Sequence, residues 1–484
     1  MKSAPNQPEM DFSLSEKDSF RLVGTATSDW QNNPMAKGFE ETDWGHELAR
    51  KQAGKKSGIT GTSNPELMPR FDEKYGQILP RAAEVGSNAF RMSLDFGRLC
   101  PREGEFNEEL MCHYVRILAK CHFLKMEPVV TLNHWTLPKS FGEYNEEGRI
   151  KKGPLENPRI VDHFAFYVNR VADFLCDPEK ITTALADEGY DQEFLDKICD
   201  DRLICRWFIS LNEPCNMLTS PYMTGAAPPY QFLSFRKFPG LKQKLKKMHQ
   251  ISNDTLHNKA NLTQAHPEPS NLKVGMAHQV LDSGIPLVKK YMGWGLVEEM
   301  EDGVDSQFMG IQYYCRLRLG LNGIKGPDPR YHSDMPIFGQ IYAPGVYDVL
   351  KFASDKYPRK QLLMTEVGFA DKTDQKRPAW IMESVYHLIK AKREGVNVEG
   401  VLLWSLIDNF EWSLGMDAPF GIFDKDGNRL QSDDGREGHV SSREVWTEVS
   451  KHLRTPTEGS AIKMAELQKR TNEQLNRSVG MVRA

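Results

Sequence analysis

Two glutamates stand where a charged side chain calls for a task. Glu213 follows Cys205–Leu211 and Asn212, and Glu366 follows Gln361–Thr365, each directly after an apolar run. An ionised carboxylate in such a place needs a partner or a function, because burying it with neither is costly. Two carboxyl groups flanking one glycosidic bond suffice to cleave it: one protonates the leaving oxygen while the other meets the oxocarbenium-like carbon. Further polar residues occupy comparable positions: Gln31, Arg91, Asn133-His134-Trp135, Asn212, Gln312, Tyr314 and the stretch from Asp408 to Trp412. Each alone has a structural explanation, Arg91 as the partner of a core carboxylate and His134 as a hydrogen-bonded core histidine. Their shared place at the ends of apolar runs points to one site.

The runs themselves predict eight strands: Phe20–Ser28, Ala89–Leu94, Pro128–Leu132, Cys205–Leu211, Leu272–Ala277, Phe308–Tyr314, Gln361–Thr365 and Gly400–Ser405. Several are continuously apolar, as strands buried on both faces are. Amphipathic helices lie between them. Glu109–Lys125 puts Leu110, Tyr114, Ile117, Leu118 and Cys121 on one face, and Arg377–Glu394 does so with Ile381, Val385, Leu388 and Ile389. Strand and helix alternating eight times predict an α/β protein, a single-domain (β/α)8 TIM barrel over residues 16–455 with long βα loops. Residues 1–15 read as an N-terminal tail and 456–484 as a helical C-terminal tail. A doubly wound sheet is the alternative, but Thr25-Ala26-Thr27-Ser28 lacks the glycine-rich turn that usually follows its first strand. A barrel presents its chemistry at the C-terminal ends of its strands, where seven of the eight carry polar residues.

Composition excludes other classes. Of 484 residues 39% are hydrophobic, enough for a large core, and the net charge of −4 offers no field for a phosphate backbone, so no nucleic-acid partner is expected. Eight cysteines are too sparse for a disulfide scaffold and read as reduced core thiols. No stretch of about 18 apolar residues predicts a transmembrane segment, and no apolar leader opens the chain, so a cytoplasmic location is expected. Phosphate-loop, dinucleotide, serine-esterase and zinc-protease strings are absent. Cys112-His113 and Cys121-His122 would lie about 13–14 Å apart along a helix, too far to share an ion. The basic run Arg236–Lys247 reads as a solvated loop and helix face.

Several strings together resemble glycoside hydrolase family 1, the retaining β-glucosidase and β-galactosidase family. Ser210-Leu211-Asn212-Glu213-Pro214 is similar to its acid/base motif TFNEP, and Thr365-Glu366-Val367-Gly368 to its nucleophile motif TENG. Phe90-Arg91-Met92-Ser93 resembles RFS, Asn133 to Pro138 resembles YHWDLP, and Gly310 to Tyr314 resembles GINYY. The segment from Trp404 to Trp412 matches WSLLDNFEW almost throughout.

The resemblance implies that Glu366 is the nucleophile and Glu213 the acid/base. It further implies that Arg91 and Tyr314 orient Glu366, that Asn212 binds the sugar 2-hydroxyl, and that Gln31, His134, Trp135, Gln312, Glu411 and Trp412 grip the sugar over a Trp404 floor. No cofactor or metal is implied. A cation near Glu366 would lower its pKa while the charge of Glu366 raises that of Glu213.

Four departures stand near the site: Val367, Gln312 and Thr136 in place of Asn, Asn and Asp, and Asn133 in place of an aromatic. Val367 is expected to loosen the chain behind Glu366. Glu411, a carboxylate beside the outer hydroxyls, favours a neutral over a 6-phosphorylated sugar. The expected partner is a small-molecule or oligosaccharide β-glycoside of glucose, galactose or fucose type. A transglycosidase with a sugar or lipid acceptor and a non-catalytic carbohydrate binder are the alternatives. The insertions Ser220–Asn271 and Arg316–Ala343 would shape the acceptor side, with Tyr222, Tyr230 and Phe232 available for stacking.

Overall fold

The computed structural model describes residues 10–482 except 201–203, 263–270, 284–287, 289, 291–292, 321–322, 325–329, 332, 335–339, 434 and 436–437. Eight strands form the barrel: β1 (Leu22–Ala26), β2 (Ala89–Ser93), β3 (Glu127–Thr131), β4 (Trp207–Asn212), β5 (Lys273–Gln279), β6 (Phe308–Tyr313), β7 (Gln361–Gly368) and β8 (Val398–Trp404). Each pairs in parallel with its neighbours in chain order, and β8 returns to β1, so the sheet closes. All eight coincide with the predicted runs to within a few residues. Closure needs small residues inside: a Cβ added to Gly24 on β1 would sit 1.8 Å from the carbonyl oxygen of Ala89 on β2.

Helices follow the strands in turn: α1 (Phe71–Glu84), α2 (Glu108–Phe123), α3 (Ile160–Leu175), α4 (Phe238–Leu262), α5 (Trp294–Glu301), α6 (Gly345–Lys356), α7 (Arg377–Arg393) and α8 (Ser442–Arg454). The sequence sets their ends. Asn107 caps α2 by accepting from the Leu110 backbone N–H, with Glu108 and Glu109 in the first turn and Lys120 and His122 in the last, as the helix dipole favours.

Strand alternation divides the core in two. Val23, Phe90, Met92, Val130, Met309 and Ile311 face the helices, whereas Leu22, Ala26, Ala89, Val129, Ile209, Ala277, Phe308, Leu363 and Leu402 fill the barrel. Arg91 shares the inward parity of Ala89, and Gln312 that of Phe308. Their place inside the barrel follows from period two alone.

Both ends of the described part of the chain pack on the outside of the barrel. Met10 and Phe12 are buried, and the Phe12 carbonyl meets His452 Nε2 at 2.8 Å, so residues 10–14 of the stretch read as a tail are docked. A further helix, α9 (Glu458–Val482), buries Met464, Leu467 and Leu475, and its Gln474 accepts from the Val440 N–H at 2.8 Å. The basic run on α4 and the turn before it is used structurally. Lys244 donates to the carbonyls of Leu155, Glu156 and Asn157 at 2.8–3.1 Å, and Lys242 pairs with Glu299. The two histidines beside Cys112 and Cys121 serve separately: His113 faces Asp72, and His122 meets the Ile204 carbonyl. All eight cysteines are free thiols, six of them buried. Among the described residues no helix is long and apolar enough to cross a membrane.

Candidate active site

The two glutamates reach the barrel mouth through irregular backbone. On β7, Leu363 points inward, so strict alternation would turn Glu366 toward the helices. A register shift against β6 between Met364 and Glu366 reverses the parity, placing Val367 with the helix-facing core and Glu366 inside. A similar shift lies on β4 between Ile209 and Asn212. Glu213 then takes φ +47°, a left-handed conformation uncommon for a side chain of this size. Trp135 (φ +74°) and Trp412 (φ +47°) do the same at the same rim. Such conformations persist only where surrounding contacts over-determine them, and they cluster at functional sites.

Arg91 organises the floor. Its Nη1 donates to Glu366 Oε1 at 2.5 Å and to the Thr365 carbonyl at 3.1 Å, its Nη2 to Asn212 Oδ1 at 2.6 Å, and its Nε to Thr131 Oγ1 at 3.0 Å. The second carboxylate oxygen of Glu366 accepts from the Tyr314 hydroxyl at 2.5 Å. Glu366 is thus gripped at both oxygens. Glu213 has no such grip: its Oε2 accepts from Asn216 Nδ2 at 2.7 Å, an amide also bonded to Gln279.

These partners separate the two acids. Burial pushes the Glu366 carboxyl up, and the Arg91 charge and the Tyr314 and Arg91 hydrogen bonds oppose it. Glu213 is driven well above the usual carboxylate range by burial first and by the negative charge of Glu366 next, with Asn216 as the main opposition. The expectation that a cation would set Glu366 low is therefore corrected. Desolvation outweighs Arg91, and Glu366 is the more acidic member of a pair that burial raises as a whole.

The remaining predicted residues surround this pair. Gln312 Nε2 donates to Asn212 Oδ1 at 2.7 Å, so the longer amide braces Asn212. Asn212 Nδ2 lies 3.1 Å from His134 Nε2. Burial and the nearby Arg91 charge hold His134 well below the usual imidazole range, hence neutral. With Nε2 accepting from Asn212, the ring proton belongs on Nδ1, a buried atom with no partner among the described residues. Gln312 Oε1 and Trp135 Nε1 are likewise buried without partners. These are polar atoms that a bound hydroxylated ligand could satisfy.

On the opposite side Glu411 Oε2 accepts from Gln31 Nε2 at 2.8 Å and from Asn409 Nδ2 at 2.9 Å. Burial pushes its carboxyl up to about 7, and the charge of Glu366 adds to the rise. Trp412 stacks on Trp135 with ring centroids 4.6 Å apart, and His134 lies nearly parallel to both Trp412 and Trp404 at about 6 Å. Every residue predicted for the site is in this constellation.

Some of its members were not foreseen. Asn216, three residues beyond Glu213, Thr131 beneath Arg91, and Gln279 at the end of β5 had no assigned role. Only Asn216 had a local signal, its i+3 spacing from the acid. Val367 differs from its expected effect: it is buried and paired on β7 with Tyr313 and Leu403, so the chain behind Glu366 is held in the ladder. Thr136 donates to the carboxylate of Asp95, which restores an acid beside the loop where the family's usual aspartate is missing.

Comparison with known proteins agrees with this geometry. The glycosyl hydrolase family 1 model matches residues 53–195 and 307–451, more than half of the chain, and these segments contain Arg91, His134, Gln312, Tyr314, Glu366, Trp404, Glu411 and Trp412. Glu213 lies between the two segments. A beta-galactosidase of Sulfolobus acidocaldarius is 25% identical over 83% of this chain and 89% of its own. The chloroplastic galactolipid galactosyltransferase SFR2 of Arabidopsis thaliana is 26% identical over 70% of this chain, and the match spans about half (52%) of that protein. The solved family 1 β-glucosidase of Thermotoga maritima superposes with a TM-score of 0.68 at 18% identity, covering 93% of this chain and 99% of its own. The closed barrel, the polar cluster at its mouth and the family match agree: the chain belongs to glycosyl hydrolase family 1 and is a glycosidase.

Proposed function

We propose that the protein is a retaining β-glycosidase that removes a terminal, non-reducing, neutral β-linked sugar by double displacement. The observation that carries this reading is the unequal treatment of the two acids. Glu366, held at both oxygens by a guanidinium and a phenol, is the carboxylate to attack the anomeric carbon. Glu213, raised further and held by an amide, keeps its proton for the leaving oxygen. Once the sugar is esterified to Glu366 that negative charge vanishes, the proton affinity of Glu213 falls, and it can take a proton from the incoming water. The His134 Nδ1–H, Gln31 and the Glu411 carboxyl offer contacts for the sugar hydroxyls, Asn212 stands next to Glu213 for the 2-hydroxyl, and Trp404 and Trp412 offer apolar faces. Three carboxyls share the site with one guanidinium already committed to Glu366, which disfavours a phosphorylated sugar.

Anomer-resolved product analysis tests the mechanism together with trapping by a 2-fluoro glycoside. A product of retained configuration and a sugar adduct on Glu366 are expected; an inverted product overturns the reading. A second reading, transfer to a sugar or lipid hydroxyl in place of water, is favoured by the similarity to the galactosyltransferase. Product analysis with an added alcohol separates the two.

A further inference from the structure

Beyond Glu213 the chain runs from Pro214 to Asn253 without an acidic residue, while six cations stand between Arg236 and Lys247. In a protein of net charge −4 this is a local excess of one sign. Carboxylates neutralise two of the six, Glu156 at Lys237 and Glu299 at Lys242. Lys244 and Lys246 donate to backbone carbonyls, which leaves their charges uncompensated. Arg236 and Lys247 are exposed, with no carboxylate partner among the described residues.

Next to these cations three large apolar side chains face outward: Phe232 is 67% exposed, Leu233 57% and Phe235 41%. One exposed apolar residue is ordinary, but three within four positions make a patch. The backbone beneath them is tied down. The N–H groups of Gln231, Leu233 and Ser234 donate to the carbonyls of Pro221, Met223 and Tyr222 at 2.6–3.2 Å. Gln231 Nε2 donates to the Lys151 carbonyl at 2.7 Å and to Glu156 Oε1 at 2.9 Å. Leu233 takes φ +54°, a left-handed conformation that persists only where its surroundings enforce it. The patch is therefore held out of the protein by a fixed loop.

We infer that this loop docks the protein on an anionic lipid surface, with Phe232, Leu233 and Phe235 entering the interface and the uncompensated cations behind them drawn to the head groups. Size favours a bilayer over a protein partner. With about 200 Å² for a large side chain, the three expose about 300 Å² together, whereas each side of a stable protein interface contributes about 800 Å². Interfacial anchoring is built from a small apolar surface backed by Lys and Arg, which is the pairing found here. The loop joins β4 to α4, so the anchor stands on the mouth side of the barrel. The inference concerns docking alone and does not depend on the glycosidase reading.

The test is flotation of the full chain with vesicles of phosphatidylcholine alone and of phosphatidylcholine carrying about 30% phosphatidylserine, at low and high salt. The charged vesicles should hold the protein at least about 25-fold more tightly, about fivefold for each of two cations near the surface, and salt should weaken that preference. Arg236→Gln/Lys247→Gln should remove most of the preference and leave binding to neutral vesicles unchanged. Leu233→Ser/Phe235→Ser should weaken binding to both kinds of vesicle about fivefold per half-exposed side chain, about 25-fold together. Phe235→Trp should keep or strengthen it. All these side chains are exposed, so an unchanged unfolding midpoint certifies each variant. Failure of the unaltered protein to float with charged vesicles at low salt, or flotation that both double variants leave intact, overturns the inference. So does a dimer that Leu233→Ser/Phe235→Ser converts to monomer without any vesicle binding, which would assign the patch to a second copy of the chain.

Discussion

Tyr314→Phe isolates the grip on Glu366. The phenol is half-buried, its hydroxyl donates to Oε2 of the buried Glu366 at 2.5 Å, and the other oxygen belongs to Arg91, so the substitution removes one of two charge-assisted contacts and leaves the ring in place. A hydrogen bond to a buried charged group is worth about 1.5–3 kcal/mol. At 1.36 kcal/mol per pKa unit, its loss should raise the proton affinity of Glu366 by about one to two units. The direction follows from the bond: Tyr314 stabilises the ionised form, so without it the carboxyl protonates at higher pH.

The assay is the pH profile of kcat/KM, which reports the free enzyme. Glu366 must be ionised to attack and Glu213 protonated to assist, so the acid limb follows Glu366 and the basic limb Glu213. Because the two acids interact, the limbs report the titration of the pair. Tyr314→Phe should move the acid limb upward by about one to two units with a smaller displacement of the basic limb. An unmoved acid limb, even with a large fall in rate, would refute the claim that the phenol acts through the charge of Glu366.

Asn216→Ala should act on the other limb. Its amide is the hydrogen-bond donor that lowers the proton affinity of Glu213, so removal should shift the basic limb upward while the acid limb moves less. Glu213→Gln should cost about 10²- to 10⁴-fold on glycosides with alkyl leaving groups and far less on dinitrophenyl glycosides, measured as a leaving-group series; equal losses across the series count against an acid. Arg377→Met tests stability away from the chemistry. Arg377 pairs with buried Asp374 at 2.9 Å, and Asp374 also accepts from the Ser442 N–H at the start of α8. Stranding that carboxylate should destabilise the fold by about 3–5 kcal/mol, read by denaturant unfolding.

The barrel was legible because its signals are local. Eight runs such as Gln361–Thr365 and Phe308–Tyr314 carry enough apolar surface to declare a buried strand, and period two then assigns Arg91 and Gln312 to the interior without any knowledge of their partners. The two acids were legible for a different reason. Glu213 and Glu366 are chemically conspicuous after apolar runs, and the strings around them are similar to a known family. Their inward aim was not readable. By period two from Leu363, Glu366 belongs on the helix side, and only the register shift between Met364 and Glu366 turns it into the barrel. No residue in Thr365-Glu366-Val367 announces a bulge, because the shift is a property of how β7 lies against β6 and β8 together.

The same physics explains why Val367 was misjudged. Read as one position in a motif, Val367 is a lost amide; placed beyond the bulge, it is the outward neighbour of Glu366 and packs the core that holds the strand. A charge becomes chemically informative through the groups that desolvate it and the donors it lacks, and those are set by packing across the barrel mouth. Glu213 and Glu411 are both raised by burial and opposed by different hydrogen-bond donors, Asn216 for the one and Asn409 and Gln31 for the other, and both feel the charge of Glu366 among their main influences. Esterifying Glu366 removes that charge, so the proton affinities of Glu213 and Glu411 should fall together at the glycosyl-enzyme stage, when an acceptor hydroxyl or water enters.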